Sequence, residues 1–276
     1  MSLPEDSGPV LVLRLAGPLQ SWWATNTFNR RGTQAEPTKS GILGMLAAAR
    51  GLDRGEPLGN LAELRLGIRV DVPGIPLRDY HSVSDYRGLP LAQSGVNAKG
   101  EQRPTSPPKY THLTSRTYLQ DAVFVAALAG PEAVLAEVEQ DLRAPHFPLA
   151  LGRRSCPPTQ PLVLGLRPGG MEHVLATHPW QPSEAARRRA ERDRRRRGGY
   201  AAAPTVSCAV TLEVPDGDDT VHDVPLAFGL RDRQFTSRRV RRDLFEVPAG
   251  PTPPAASEAP PGSPAAPHDP LALLDG

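Results

Sequence analysis

LRLGIRVDV, residues 64–72, alternates without a break: Leu64, Leu66, Ile68, Val70 and Val72 fall on one face, Arg65, Arg69 and Asp71 on the other. A period of two sustained over this length predicts a strand with one buried face, its charged side turned outward. Upstream, PTKSGILGMLAAAR (37–50) changes the period. Ile42, Met45, Leu46 and Ala49 share a helical stripe, with Thr38 or Ser40 to cap the start and Gly51 the end. Further upstream, VLVLRLA (10–16) alternates through Leu11, Leu13 and Leu15 until Gly17-Pro18 interrupts it. Downstream, 73–115 is poor in apolar residues and rich in Gly, Pro, Ser and Tyr, which predicts an extended excursion or long hairpin without a core of its own. Order returns with an apolar run at 122–128 and a helix opened by Gly130-Pro131, whose inner side is Val134, Leu135, Val138 and Leu142; 147–151 and 161–166 are further strand candidates. Strand, helix, strand, insertion, strand, helix, strand is the split βαβ pattern, so an α+β, ferredoxin-like domain is expected over 1–167.

Beyond Arg167 the chain changes character. An insert or linker over 168–205 contains RRRAERDRRRR (187–197), with eight Arg, and outside that run the chain carries 24 basic against 28 acidic residues. Val206, Cys208, Val210, Leu212 and Val214 alternate, and short strands at 221–228 and 240–247 would complete a small β-rich C-terminal part over 206–247. Residues 248–276 hold nine Pro and no Lys or Arg, the composition of a disordered tail.

Composition excludes several classes. With two cysteines in 276 residues, neither a disulfide framework nor a four-cysteine zinc site is available. No apolar run is long enough to span a bilayer, and residues 1–8 lack the build of a signal peptide, so a cytoplasmic protein without membrane contact is expected. The seven His never fall at ligand spacing, and no metal or other cofactor is expected.

Four motifs carry functional readings, each beside a plainer one. EPTKSG (36–41) joins loop to helix, where Lys39, the Ser40 hydroxyl and free N–H groups suit a phosphate, although Thr and Ser also simply cap helices and the P-loop pattern is absent. In LGRRSCPP (151–158), Arg153 and Arg154 point opposite ways on an extended chain, so one packs or pairs while the other reaches a ligand, Ser155 beside them; which does which stays open. RDRQFTSRRVRR (231–242) sets Gln234, Phe235 and Ser237 among Arg, suiting phosphates and one stacked base, or a solvated strand edge. RDYHSVSDYRG (78–88) offers Tyr80, His81, Tyr86 and Arg87 for acid–base cleavage of RNA, with structural hydrogen bonding the stronger reading. The expected strands at 10–16, 64–72 and 122–128 bring only one aromatic, Phe124, so RNA bound by this fold is expected to be held by loops and Arg rather than stacked on the sheet. The run at 187–197 reads either as a mobile loop or, by preference, as a nonspecific phosphate contact.

VLVLRLAGPLQSW (10–22), EPTKSGILGMLAAA (36–49), LRDYHSVSDYRGL (77–89), SRTYLQDAVFVAAL (115–128), LGRRSCPPTQPL (151–162) and RQFTSRR (233–239) together resemble the CasD family, subunits of the type I-E CRISPR surveillance complex, Cascade. The resemblance runs over 10–166 and returns at 224–247; the Arg-rich insert and the Pro-rich tail lie outside it. It implies a repeat-associated mysterious protein (RAMP) fold, RRM-like, with a protruding β-hairpin thumb at 77–116. It further implies a noncatalytic RNA-binding subunit in antiviral defence, which grips the 5′ handle of the mature CRISPR RNA (crRNA), caps the backbone filament and contacts the large subunit that recognises target DNA. Carried over by motif, Gln20, Ser21, Trp22, Lys39, Ser40, Arg153, Arg154, Ser155, Gln234, Phe235 and Arg238 are the implied handle contacts, and Tyr80, His81, Arg116 and Tyr118 the thumb and its base. The alternative is a metal-independent endoribonuclease that processes CRISPR precursor RNA through Tyr80, His81 and Lys39.

Overall fold

The computed structural model describes residues 8–22, 29–96, 99, 101–196, 205–228 and 233–250. Through its first half the chain forms β1 (Val10–Ala16), β2 (Leu19–Gln20), β3 (Arg30–Arg31), α1 (Lys39–Arg50), β4 (Arg65–Val72), β5 (Ile75–Ser84), β6 (Ala92–Val96), β7 (Gln102–Pro104) and β8 (Thr111–Gln120). There follow β9 (Val123–Ala129), α2 (Glu132–Arg143), β10 (Val163–Arg167), α3 (Gly170–Thr177), α4 (Glu184–Arg196), β11 (Thr205–Glu213), β12 (Asp219–Phe228) and β13 (Arg233–Pro248). The fold is mixed α+β, mostly strand. No helix among the described residues is long and apolar enough to cross a membrane.

One antiparallel sheet organises the molecule, in the order β10-β1-β9-β4-β11-β13-β12. Its first face buries Leu11, Leu13 and Leu15 of β1 against the stripe Ile42, Met45, Leu46 and Ala49 of α1 and against Leu135, Val138 and Leu142 of α2. Thr38 caps α1, its Oγ1 accepting from Gly41 N at 3.2 Å, and Gly51 ends it in the left-handed region at φ 86°.

The second face is covered too. Met171, Val174 and Leu175 of α3 pack on Val10, Val12, Val125, Ala127, Val210 and Leu212. A Cβ on Gly67 would lie 2.8 Å from Met171, so the close approach of α3 requires glycine there. Covering on both faces explains why β9 is buried at every position, without alternation. It also overturns the expectation that Arg69 and Asp71 face solvent: Arg69 is 0% and Asp71 6% exposed. The two are joined by two hydrogen bonds, and the Arg69 guanidinium also donates to the carbonyls of Leu175, His178 and Pro179. A charge taken out of water is tolerable only when satisfied in this way.

Other expectations are revised. Residues 147–151 form no strand; instead His146 N and Phe147 N donate to Ala49 O and Ala48 O, closing the end of α1. The Arg-rich segment is the helix α4 through Arg196, capped by Ser183 Oγ, while Arg197 and the glycines after it lie outside the described residues. Strands β11 to β13 extend the main sheet from β4, and the expected tail beyond residue 250 lies outside the described residues.

The excursion is a two-stranded ribbon. β5 and β8 pair antiparallel from Ile75↔Gln120 to Ser84↔Thr111, with β2 and the parallel β3 flanking β8. Ile75, Tyr80 and Leu113 on it are 53%, 66% and 44% exposed, as befits a ribbon that no helix covers.

Candidate nucleic-acid interface

The loop leaving β1 and the turn at 151–157 are fastened together. Ser21 N donates to Leu151 O at 3.1 Å, and a Cβ on Gly152, itself at φ 86°, would stand 1.8 Å from Ser21 O. Only glycine lets the two backbones meet there. Gln20 and Trp22 are each 0% exposed. Gln20 Nε2 donates to Leu15 O and Ala122 O, its Oε1 accepts from the Trp22 indole, and the ring lies against Gly41 in the first turn of α1. These two side chains are fully enclosed in the fold and fix the loop, so their implied contact with RNA finds no exposed side-chain surface here. Ser21 is 3% exposed, with its hydroxyl donated to Thr117 O.

The turn separates the two arginines. Arg153 donates through Nη1 to Thr117 O at 3.0 Å and through Nη2 to Arg31 O at 2.8 Å and Gly32 O at 2.9 Å, with its guanidinium 4.9 Å from the ring centroid of Tyr118. It thereby ties β3, β8 and the turn together, each bond strengthened by the cationic donor. Arg154 is exposed and makes no hydrogen bond or ion pair among the described residues. Ser155 beside it is exposed, with Oγ 3.5 Å from the Tyr118 hydroxyl; Tyr118 itself is 4% exposed. Arg116 is half-buried, and its Nε finds no partner among the described residues.

The sequence reading missed Arg30 and Arg31. Both are exposed and unpaired through their side chains among the described residues, on the strand whose carbonyl Arg153 holds. The doubled Arg in NRRG was the available signal, but a two-residue strand has no period to mark it. Arg30, Arg31 and Arg154 thus carry guanidinium groups without a partner among the described residues on backbone that Arg153 ties together, a rim on which the adjacent Arg30 and Arg31 leave opposite faces of β3.

The start of α1 is closed rather than open. Lys39 and Ser40 are 4% and 5% exposed. Lys39 Nζ meets Glu213 Oε1 at 2.6 Å, and its N–H donates to Asp223 Oδ2 at 2.7 Å. Asp223 also receives two bonds from Arg238, 7% exposed, and Glu213 Oε2 accepts from Leu66 N. The anion at this helix N-terminus is therefore the chain's own carboxylate, and Lys39, Ser40 and Arg238, implied as handle contacts, are buried, with Lys39 and Arg238 paired internally. A cavity of about 310 Å³ beside this network is lined by Lys39, Arg65, Glu213, Ser237 and Arg239 among others. Nearby, burial raises the carboxyl pKa of Glu36, against the hydrogen bond from Thr211. Gln234 is exposed and Phe235 half-buried, both on β13 where it pairs with β12.

Tyr80 and His81 are exposed neighbours on β5, so their side chains leave opposite faces of the ribbon. His81 Nδ1 lies 2.7 Å from Asp79 Oδ2. With Lys39 bound into the ionic network of α1, the three residues nominated for acid–base cleavage do not converge. Among the described residues no cluster of three His, Cys, Asp or Glu is arranged to hold a metal ion.

Comparison with known proteins gives concordant matches. Residues 10–241 match the family described as CRISPR-associated protein (Cas_Cas5). The "CRISPR system Cascade subunit CasD" of Escherichia coli (strain K12) is 38% identical over 173 residues, which is 56% of this chain and 70% of that protein. A chain of a solved "CRISPR RNA-guided surveillance complex" superposes with a TM-score of 0.66 at 36% identity, over 87% of this chain and 91% of that one. A second, titled "Crystal structure of Cas protein", gives 0.60 at 31% identity, over 88% and 100%.

Proposed function

The chain belongs to the CRISPR-associated Cas5 family, and from that premise we propose that it is a noncatalytic, cytoplasmic subunit of a Cascade-type surveillance complex, whose rim of Arg30, Arg31 and Arg154 holds the 5′ handle of the crRNA. The observation that carries this reading is the division of labour at 153–154: one guanidinium is spent on the scaffold, which leaves the next one aimed outward from a fixed turn. Phosphates of a single strand suit such forked donors, while Ser155 and exposed Gln234 offer groups to splayed bases. With α3 over the second face of the sheet, no base can stack there, so contact falls to the loops.

The element order βαββαβ in β1, α1, β4, β9, α2 and β10, with spatial order β10-β1-β9-β4, supports a ferredoxin-like RAMP body. The β5–β8 ribbon is the proposed thumb. Its uncovered Ile75, Tyr80 and Leu113 suit packing against backbone subunits of the complex, with the large subunit and target DNA as further neighbours.

The test is binding of fluorescent handle RNA to the purified chain. Arg154→Ala combined with Arg30→Ala is expected to weaken binding at least about tenfold and to flatten the log–log salt slope by about 0.7 for each lost phosphate contact, without lowering the melting temperature. Arg153→Ala is expected to act through stability instead, by about 2 kcal/mol. Unchanged affinity in the double variant, or equal binding of a scrambled handle, overturns the reading.

A further inference from the structure

Helix α4 belongs to neither the rim nor the ribbon. Across Glu184–Arg196 it carries seven Arg against three acidic residues, in a chain whose formal net charge is only +2. It has no apolar face: alanines are its only uncharged residues, and most of its positions are exposed. A helix of this kind normally persists through pairs of opposite charge four residues apart. Two such pairs are present, Arg188 with Glu184 and Arg195 with Glu191.

Arg189, Arg192 and Arg196 are exposed and unpaired among the described residues. Their spacing of three and four puts them on one stripe, roughly 4.5 and 6 Å apart along the axis. Asp193 at the margin of the stripe leaves it net positive. The base of the helix is fixed to the body. The Trp180 indole donates to Asp71 O at 2.8 Å, Gln181 N donates to Asp71 Oδ2 at 2.6 Å, and the Arg187 guanidinium lies 5.8 Å from the Trp180 ring centroid.

We propose that the Arg189–Arg192–Arg196 stripe of α4 is a sequence-independent contact for the phosphate backbone of a nucleic-acid duplex. A protein partner is disfavoured by the absence of any large apolar or aromatic anchor on the helix, the kind of residue that carries most of the energy in protein interfaces. A single strand is disfavoured by the absence of an aromatic on α4 on which bases would stack. Forked, always-charged donors on a rigid axis fit phosphates, and a charge-only contact is strongly salt-dependent. This inference stands apart from the handle reading, since it uses none of the rim residues.

The experiment titrates the full chain with random-sequence duplexes of about 30 base pairs, DNA in one arm and RNA in the other, across a salt series by fluorescence anisotropy. Replacing all three residues, Arg189→Gln, Arg192→Gln and Arg196→Gln, is expected to weaken duplex binding at least about tenfold and to flatten the DNA slope by up to about 2.7, at 0.9 per lost contact. The matching triple change to Lys is expected to retain most of the slope, and circular dichroism checks that both variants keep their helix. Handle RNA binding is expected to stay unchanged in the Gln variant, whereas failure of the rim variants alone counts against the proposed function and not against this contact. Loss in one arm only identifies the duplex. Duplex affinity unaltered by the Gln substitutions, or a wild-type chain that binds neither duplex, overturns the proposal.

Discussion

His178 sits at the end of α3 with its ring Nε2 buried and without a partner among the described residues. Burial holds its pKa below the ordinary value of 6.5, the charges of Arg69 and Arg167 push the same way, and Asp71 opposes them. The folded state thus keeps the ring neutral where the unfolded chain takes up a proton, so stability falls as pH drops through and below that ordinary value. His178→Asn removes this linkage. Urea unfolding of both proteins between pH 7.5 and 5.5 is expected to show the wild type losing more stability than the variant; parallel curves would contradict the assignment. Single positions are also where the sequence said least. Arg153 and Arg154 are readable as a pair, but only the carbonyls of Thr117, Arg31 and Gly32 decide which is structural. Lys39 looked open to a ligand because its partners, Glu213 and Asp223, lie 174 and 184 residues away.

Elements with a strong apolar signal were legible: β1, α1, β4 and α2 form where alternation or a helical stripe announced them, and β9 where a continuous apolar run did, within a few residues at each end. Two helices escaped for opposite reasons. α3 is eight residues long, too short to display a period, and α4 has no apolar stripe to display. The missing α3 is what made Arg69 and Asp71 look like surface residues. The ribbon was legible through its poverty in apolar residues, and the same poverty makes a prediction. β6 and β7 pair only with each other, and Tyr86 at 96% and Tyr110 at 56% exposure contribute nothing to either core. Replacing 85–110 by Asn-Gly, a turn suited to joining the paired residues Ser84 and Thr111, is expected to leave the melting temperature within about 2 °C of wild type. A drop of 8 °C or more would mean that the tip supports the body after all.

For the molecule as a whole, the sheet cannot be divided where the sequence changes character. β11 pairs with β4 through Ala209↔Val70 to Leu212↔Gly67, and Glu213 neutralises the Lys39 ammonium in the first half of the chain while Asp223 accepts from the Lys39 backbone N–H. A fragment ending at Arg167 therefore keeps a lysine without its carboxylate partner, exposes the second face of the sheet and leaves β4 unpaired on one side. Such a fragment is expected to show no cooperative melting transition; a sharp one near that of the full chain would refute this interdependence.

That pairing of β4 with β11 also has a consequence for biosynthesis. About 140 residues must leave the ribosome after β4 before its second neighbour is complete, and at about 5–20 residues per second the nascent chain carries an open, apolar strand for roughly 7 to 28 seconds. Polysomes crowd such chains together, and strand exchange between them is the hazard that this topology creates.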